Sequence, residues 1–430
     1  MNNFIDFILL RDPLVRNIII GVILLSISSS IVGVFTFLRK RALVGDAVSH
    51  AVLPGVCLAF IVQGSKNPFG LLIGAFITGW ISLICIDVIT SKTRLKEDTA
   101  IGIVLTAFFA FGTVLMSYIQ NNSISANQGG LKDFLFGSVT SIREQDIYVF
   151  GGVAVALIIT SSLLFKEFFI LSFDEAFTKT IGFPIIFLKL VLTTLTVFAV
   201  VVGIQAVGVV LMAAMLITPA AAARFWTDRL RKMLVIAASL SVVSSLGGVY
   251  ISYENPSPTG PWMVMILSLI ALISFLISPK KGIISKLIRQ KRFRNQITKE
   301  NILKAIYQIN EKVDLPDRAL SLNEIFDNRP MQRDQIAWGL KKLAQEGFLD
   351  KKEDKWGFTN EGFLRGQRLT KLHRLWELYL TEKMNIAPDH VHEDADTIEH
   401  IITPELEAKL EVILDYPLKD PHDSIIPYRK

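Results

Sequence analysis

Residues 261–299 read PWMVMILSLIALISFLISPKKGIISKLIRQKRFRNQITK, and this stretch divides the chain. From Pro261 to Ile277 it holds no charged residue. That length approaches the roughly 20 apolar residues needed to cross a bilayer. Beyond Pro279 come Lys280, Lys281, Lys286, Arg289, Lys291, Arg292 and Arg294, interleaved with Ile283, Ile284, Leu287 and Ile288. Such spacing predicts a basic amphipathic helix lying against an anionic inner leaflet, or a charged linker helix. Either one tethers a membrane domain to a soluble one.

Working back towards the N-terminus, the apolar stretches repeat. Spans are expected near Asn17–Leu38, His50–Val62, Pro68–Ile89, Thr99–Ile119, Ile147–Phe165, Pro184–Gly203, Val207–Ala223, Met233–Ile251 and Pro261–Ile277. The first reads as a retained span because no small-residue cleavage site follows it. The second is short and flanked by polar residues, as a partly unwound or internally packed helix would be. The run Leu190–Ala223 is too long for one span and is expected to turn at Gly203, Ile204 and Gln205.

The net charge of +6 raises the question of nucleic acid. Much of the basic excess instead abuts spans, at Arg39–Arg41, Lys92–Lys96, Arg224–Lys232 and Lys280–Lys281. Cytoplasmic loops carry this bias, so about nine spans give an outside N-terminus and an inside C-terminus. Cys57 and Cys85 both fall in apolar segments and form no disulfide framework.

Asp46 and His50 stand four apart, one turn from each other on a helix face. Ionisable groups at membrane depth line a polar path or pair with a partner. A carboxylate with an imidazole suits Mn²⁺, Fe²⁺ or Zn²⁺. By spacing alone, a pair that satisfies itself and joins helices fits equally well.

The wording around the pair is more specific. RALVGDAVSHAVLPGVCLAF (41–60), EDTAIGIVLTAFFAFGTVL (97–115) and VGVVLMAAMLITPAAAARFWT (207–227) resemble signature segments of permeases from the manganese/zinc/iron branch of ABC importers. The resemblance runs from about Leu14 to Lys281. It implies a dimeric pore with a second permease copy, an extracellular or periplasmic metal-binding protein, cytoplasmic ABC ATPase subunits and a bacterial cytoplasmic membrane. It assigns a translocation-pathway role to Asp46 and His50. It also likens Asp174, Glu175 and Ala176 through Gly182 to the segment that docks on the ATPase; an ordinary capped loop helix is the bland reading. No GxxxxGK[ST] loop occurs in the chain, so no nucleotide is expected here and ATP hydrolysis falls to separate subunits. The chain itself is expected not to be an enzyme.

After the basic segment, ordinary soluble periodicity takes over. A helix is expected over Asn301–Asn310, and Ser321 with Glu324 forms a capping box opening a helix through Phe326. A longer helix, Gln332–Glu346, ends at Gly347, and two extended stretches follow at Phe348–Lys352 and Trp356–Thr359. This order is that of a winged helix-turn-helix. Helices are then expected over Glu361–Met384, His392–Ile402 and Pro404–Leu414.

Five of the six histidines lie in this last part: His373, His390, His392, His400 and His422. His373 and Glu377 are four apart, while His392, Asp396, Glu399 and His400 share one face of the next expected helix. Side by side, the two helices would gather imidazoles and carboxylates into a set suited to Mn²⁺, Fe²⁺ or Zn²⁺. A solvated acidic face is the alternative. KLHRLWE (371–377) and VHEDADTIEH (391–400) resemble the metal-sensing helices of the diphtheria-toxin-repressor family, over about Lys299 to Pro427. That resemblance places His373, Glu377 and His392 in one metal site and Asp396, Glu399 and His400 in a second. Asn301 stands where relatives carry Met or Asp, a weaker neutral donor, and Asp396 stands where some carry Cys. His390 and His422 match no ligand position. Gln332, Arg333 and Gln335 are the candidates for DNA base contact, opposed by Asp334, which faces phosphate repulsion.

The expected architecture is an all-α polytopic membrane domain (1–278), a basic linker (279–298), a winged helix-turn-helix (299–362) and a helical metal-binding and dimerisation region (363–430). The function that follows is a metal-importer permease with a fused cytoplasmic metal sensor. The alternatives are a membrane-anchored, metal-dependent transcription regulator and a self-powered secondary transporter.

Overall fold

The computed structural model describes residues 13–41, 43–64, 68–121, 144–255, 257–328, 331–387, 391, 395–396 and 398–428. The chain divides into two compact units, Met1–Lys286 and Leu287–Lys430. The all-α membrane domain and the winged, mainly helical soluble part expected from the sequence are both present.

The first unit contains the helices Pro13–Leu38, Val44–Gln63, Pro68–Lys92, Glu97–Asn121, Glu144–Leu163, Ile185–Val207, Val209–Trp226, Leu230–Glu254 and Thr259–Ile277. Among the described residues, 8 are long and apolar enough to cross a membrane, and the helix ending at Trp226 is apolar but shorter. Short helices Phe165–Phe173 and Glu175–Thr180 lie between the fifth and sixth spans.

Two sequence expectations shift here. The second span is a continuous helix, Val44–Gln63, with Pro54 inside it, and it is internally packed rather than unwound. The long apolar run turns at Gly208, not at Gly203–Gln205. Gly208 takes φ +84°, a conformation that costs an L-residue energy but not glycine. Gly203 stays helical because its missing side chain makes room for Met212 of the next helix, whose Sδ would meet an added Cβ at 2.1 Å.

Close backbone approach fixes the helix that carries Asp46. A Cβ on Gly55 would meet the Gly74 carbonyl oxygen at 2.1 Å, and one on Gly74 would meet the Gly55 carbonyl at 2.4 Å. Small residues let membrane helices pack on backbone surfaces where no hydrophobic drive separates helix from lipid. At the helix entry, Arg41 bridges Asp87 at 2.9 Å and Glu97 at 2.6 Å, tying this point to the helices Pro68–Lys92 and Glu97–Asn121.

In the second unit, the basic linker and the first soluble helix are one uninterrupted helix, Ile283–Val313. No Gly or Pro occurs between Ile283 and Val313 to break it. The capping box forms as expected: Ser321 N–H donates to Glu324 Oε2 at 2.8 Å, and Glu324 N–H donates to Ser321 Oγ at 3.3 Å. It opens the helix Leu322–Asn328, followed by Arg333–Gln345 and the hairpin Leu349–Lys352 with Lys355–Phe358. A two-residue strand, Leu320–Ser321, completes an antiparallel sheet by pairing with Lys355–Trp356. It was too short to show as alternation in the sequence. Ile302, Ile306, Leu340, Leu343, Leu349, Trp356 and Leu369 form the core beneath this sheet. The helix Asn360–Met384 follows, and Pro404–Ile413 closes the helical region.

Candidate metal centres

On the helix Val44–Gln63, the residues around Asp46 and His50 are buried: Gly45, Ala47, Val48, Ser49 and Ala51 all pack inside. Asp46 and His50 form the exception, with side chains 39% and 28% exposed. Their polar atoms lie 3.5 Å apart, Nε2 to Oδ1, too long for a tight hydrogen bond. The His50 and Phe109 rings meet in a T-shaped contact, 5.1 Å between centroids, so an aromatic ring packs on one side of the imidazole. The result is one carboxylate and one imidazole open to the outside of a single chain. Together they offer an oxygen and a nitrogen donor to a divalent transition ion.

Near the sixth span, Asp174 caps the helix Glu175–Thr180 by accepting from Phe177 N–H at 2.9 Å. Glu175 accepts from Lys189 at 2.5 Å. Asp174, Glu175, Ala176 and Gly182 are all exposed, and Gly182 takes φ +90° to end the turn. Phe173, Phe177 and Ile181 present apolar surface beside them.

The soluble cluster is arranged differently. His373 and Glu377 are buried on the helix Asn360–Met384, with Nε2 3.2 Å from Oε1. Across from them, His373 Nδ1 lies 2.7 Å from Glu399 Oε2 and 3.3 Å from Asp396 Oδ1. Ligand atoms of His373, Asp396 and Glu399 all lie within 4.8 Å of one another. Burial disfavours the His373 imidazolium, but the hydrogen bonds to Glu377 and Glu399 outweigh it and raise its pKa.

Within the expected helix His392–Ile402, residues 395, 396 and 398 are helical, and the others described at its end are not α-helical. Glu399–Ile401 is a 3₁₀ turn, and the adjacent Glu399 and His400 meet different partners. His400 Nδ1 lies 2.7 Å from Glu300 Oε2, and Glu300 also accepts from Arg365 at 2.6 Å. Burial pushes the Glu300 carboxyl up, but His400, Arg365 and Gln296 more than reverse this and hold it at about 2. His400 Nε2 and Asn301 Oδ1 are buried without a hydrogen-bond partner among the described residues. His392 and His390 lie outside the described residues, and His422 is exposed.

Two residues of this centre were missed in the sequence, Glu300 and Lys304. Lys304 is fully buried, and its ammonium lies 2.5 Å from Asp396 Oδ1 and 2.6 and 2.7 Å from the two Glu399 oxygens. The signal was a lysine inside the apolar run Ile302–Ile306, a position that requires a buried counter-charge. The donor set of His373, Asp396 and Glu399 has the chemistry a divalent transition metal needs, and the orphaned His400 Nε2 and Asn301 Oδ1 agree with it.

Gln332, Arg333 and Gln335 are exposed at the start of the helix Arg333–Gln345, as is Asp334. Arg333 is already engaged, donating to Asn323 Oδ1 at 2.9 Å.

Residues 11–278 match the profile described as the ABC 3 transport family. The chain belongs to that family. Residues 359–428 match a second profile, the iron dependent repressor metal binding and dimerisation domain. The manganese transport system membrane protein MntC of Bacillus subtilis (strain 168) is 39% identical over 389 residues, spanning 90% of this chain and 88% of the relative. The zinc transport system membrane protein TroC of Treponema pallidum (strain Nichols) is 38% identical over 285 residues, 66% of this chain and 95% of the relative. Among solved structures, PsaBC from Streptococcus pneumoniae in complex with Fab is similar with a TM-score of 0.58 and 33% identity, over 67% of this chain and 99% of that one. The family membership is that of a multi-pass metal transport permease, and both resemblances read from the sequence hold.

Proposed function

We propose that this chain is the membrane subunit of an ATP-driven importer of Mn²⁺, Zn²⁺ or Fe²⁺, carrying a fused cytoplasmic metal-sensing domain. The observation that carries the reading is the Asp46–His50 pair, open on a membrane helix whose residues on either side of the pair are buried. Groups this costly to place at membrane depth face a path or a partner. A second copy of the chain opposite this face would enclose the pair in a pore. Metal delivered by an extracellular binding protein would meet a carboxylate and an imidazole there, and would leave readily because each copy offers only two donors.

The exposed Asp174–Gly182 segment, with Phe173, Phe177 and Ile181 beside it, suits docking of a cytoplasmic ATPase. The C-terminal domain would hold metal at His373, Glu377, Asp396, Glu399 and His400, with His392 and Asn301 as further ligands, and bias the transport cycle. Such feedback requires metal to bind the sensor differently in two transporter states. In that arrangement the chain sits in a bacterial cytoplasmic membrane with its C-terminus inside.

The deciding experiment is uptake of Mn²⁺ and of Zn²⁺ into proteoliposomes containing the full chain and its ATPase. Wild-type uptake that needs ATP, and is lost in the Asp46→Ala/His50→Ala variant, supports the reading. Normal uptake by that variant overturns the pathway assignment. Uptake by the chain alone, driven by an ion gradient, would mean a secondary transporter.

A second reading, a membrane-anchored transcription regulator, draws on exposed Gln332, Arg333 and Gln335 and on the lysines of the nearby hairpin, Lys351, Lys352 and Lys355. Metal-dependent footprinting with the full chain tests it, a sequence-specific footprint at near-physiological salt being the positive result.

A further inference from the structure

A buried carboxylate cluster needs a cation, and in this protein one is already built into the chain. Lys304 has no exposed surface, yet its ammonium sits among Asp396 Oδ1 at 2.5 Å and Glu399 Oε1 and Oε2 at 2.6 and 2.7 Å. His373 Nδ1 is 3.4 Å away. These are the same three residues whose ligand atoms converge closely enough to hold a metal. We propose that Lys304 is a resident cation in the His373–Asp396–Glu399 cluster, and that a divalent transition metal enters only by displacing it. The inference rests on the metal-sensing reading of the C-terminal domain and adds a competitor to it.

The physical reason is exclusion. Metal–oxygen and metal–nitrogen bonds of about 2.0–2.2 Å to these ligands would put the ion in the space that the ammonium fills. Two cations cannot share that space in a buried, weakly screened site. The lysine therefore stabilises the metal-free cluster, where it neutralises the fully buried Glu399 carboxylate and the partly exposed Asp396 beside it. It also sets the metal concentration at which the cluster fills.

Its position in the chain gives the exchange a consequence. Lys304 lies on the helix Ile283–Val313, whose first turn belongs to the first unit and whose later turns build the winged-helix core through Ile302 and Ile306. Metal at the cluster would break the Lys304 contacts to Asp396 and Glu399 while Glu300, on the same helix, keeps its bond to His400. A metal signal would thus reach the segment that joins the two halves of the chain.

The test uses the full chain in detergent or nanodiscs, with Mn²⁺ and Zn²⁺ as separate probes. The Asp46→Ala/His50→Ala background removes pathway binding. Lys304→Met is expected to bind metal at least tenfold more tightly than the parent by equilibrium dialysis, while Lys304→Arg, which keeps the charge, is not. Equal affinity in the parent and Lys304→Met, with Glu399→Gln weakening both, would overturn the competitor role and leave the sensor reading standing. No binding in any form would remove the sensor reading, and this inference with it. A measurement on the unmodified protein covers the case in which Lys304→Met does not fold. Lys304 should be protected from an amine-reactive ester without metal and become labelled when metal is bound. Continued protection at full metal occupancy overturns the proposal.

Discussion

Two carboxylate–imidazole pairs share the same four-residue spacing in this chain and end in opposite physical states. Asp46 and His50 lie 3.5 Å apart with both side chains partly exposed. Glu377 and His373 lie 3.2 Å apart with side chains only 3% and 2% exposed, against Glu399, Asp396 and a buried ammonium. The first pair has little to hold it in one geometry and suits brief contact with an ion. The second is bound into a charge network and suits long residence. Spacing on a helix therefore sets which groups can meet, and burial sets what the meeting does.

The largest expected effect separates the two pairs most sharply. Asp46→Ala with His50→Ala should lower metal uptake by roughly 10–100-fold or more, the scale on which even indirect support of a metal ligand acts. The same variant should shift stability by no more than about 1 kcal/mol, because a long, partly exposed ion pair contributes little. Uptake assays and thermal unfolding of one preparation read both numbers. A large loss of stability would mean that the membrane pair is structural, and the contrast would fail.

Lys304→Ala should do the reverse in the soluble unit. Removing one partner of a buried charge network costs about 3–5 kcal/mol, measurable as denaturant unfolding of the C-terminal unit in the full chain. A change below about 1 kcal/mol would place Lys304 among ordinary surface lysines and dissolve the distinction between the clusters.

The two halves also differ in how their turns are made. Gly208→Ala, at φ +84°, should cost about 1–3 kcal/mol of resistance to thermal unfolding in detergent, since the strained conformation has no side-chain compensation. In the soluble half the equivalent device is a side-chain cap. Ser321→Ala should cost about 1 kcal/mol, read from the same denaturant transition as Lys304→Ala. If Gly208→Ala is neutral, the turn between the sixth and seventh spans relaxes around it.

Much of the architecture was legible because long apolar runs and basic loops have few other meanings. All nine expected spans have a helix at their place, and the capping box and hairpin of the winged helix form where the residues indicate. The turn position was not legible: Gly203 and Gly208 look alike in sequence, and only the approach of Met212 shows which stays helical. The linker was divided from the first soluble helix because composition changes there, although backbone continuity depends only on the lack of a breaker. The 3₁₀ turn at Glu399–Ile401 likewise escaped a reading that assumed one uniform helix face.

The sequence by itself determined the two-part organisation, the family of the membrane half, and the residue types available for metal chemistry. It did so because hydrophobic length, charge bias and helical spacing are properties of neighbouring residues. Only the tertiary structure decided that Asp46 and His50 stay open, that His400 turns to Glu300, and that Lys304 reaches Asp396 and Glu399 across more than ninety positions of chain. Those outcomes depend on which surfaces are excluded from water and which charges meet there, and no local pattern carries that information.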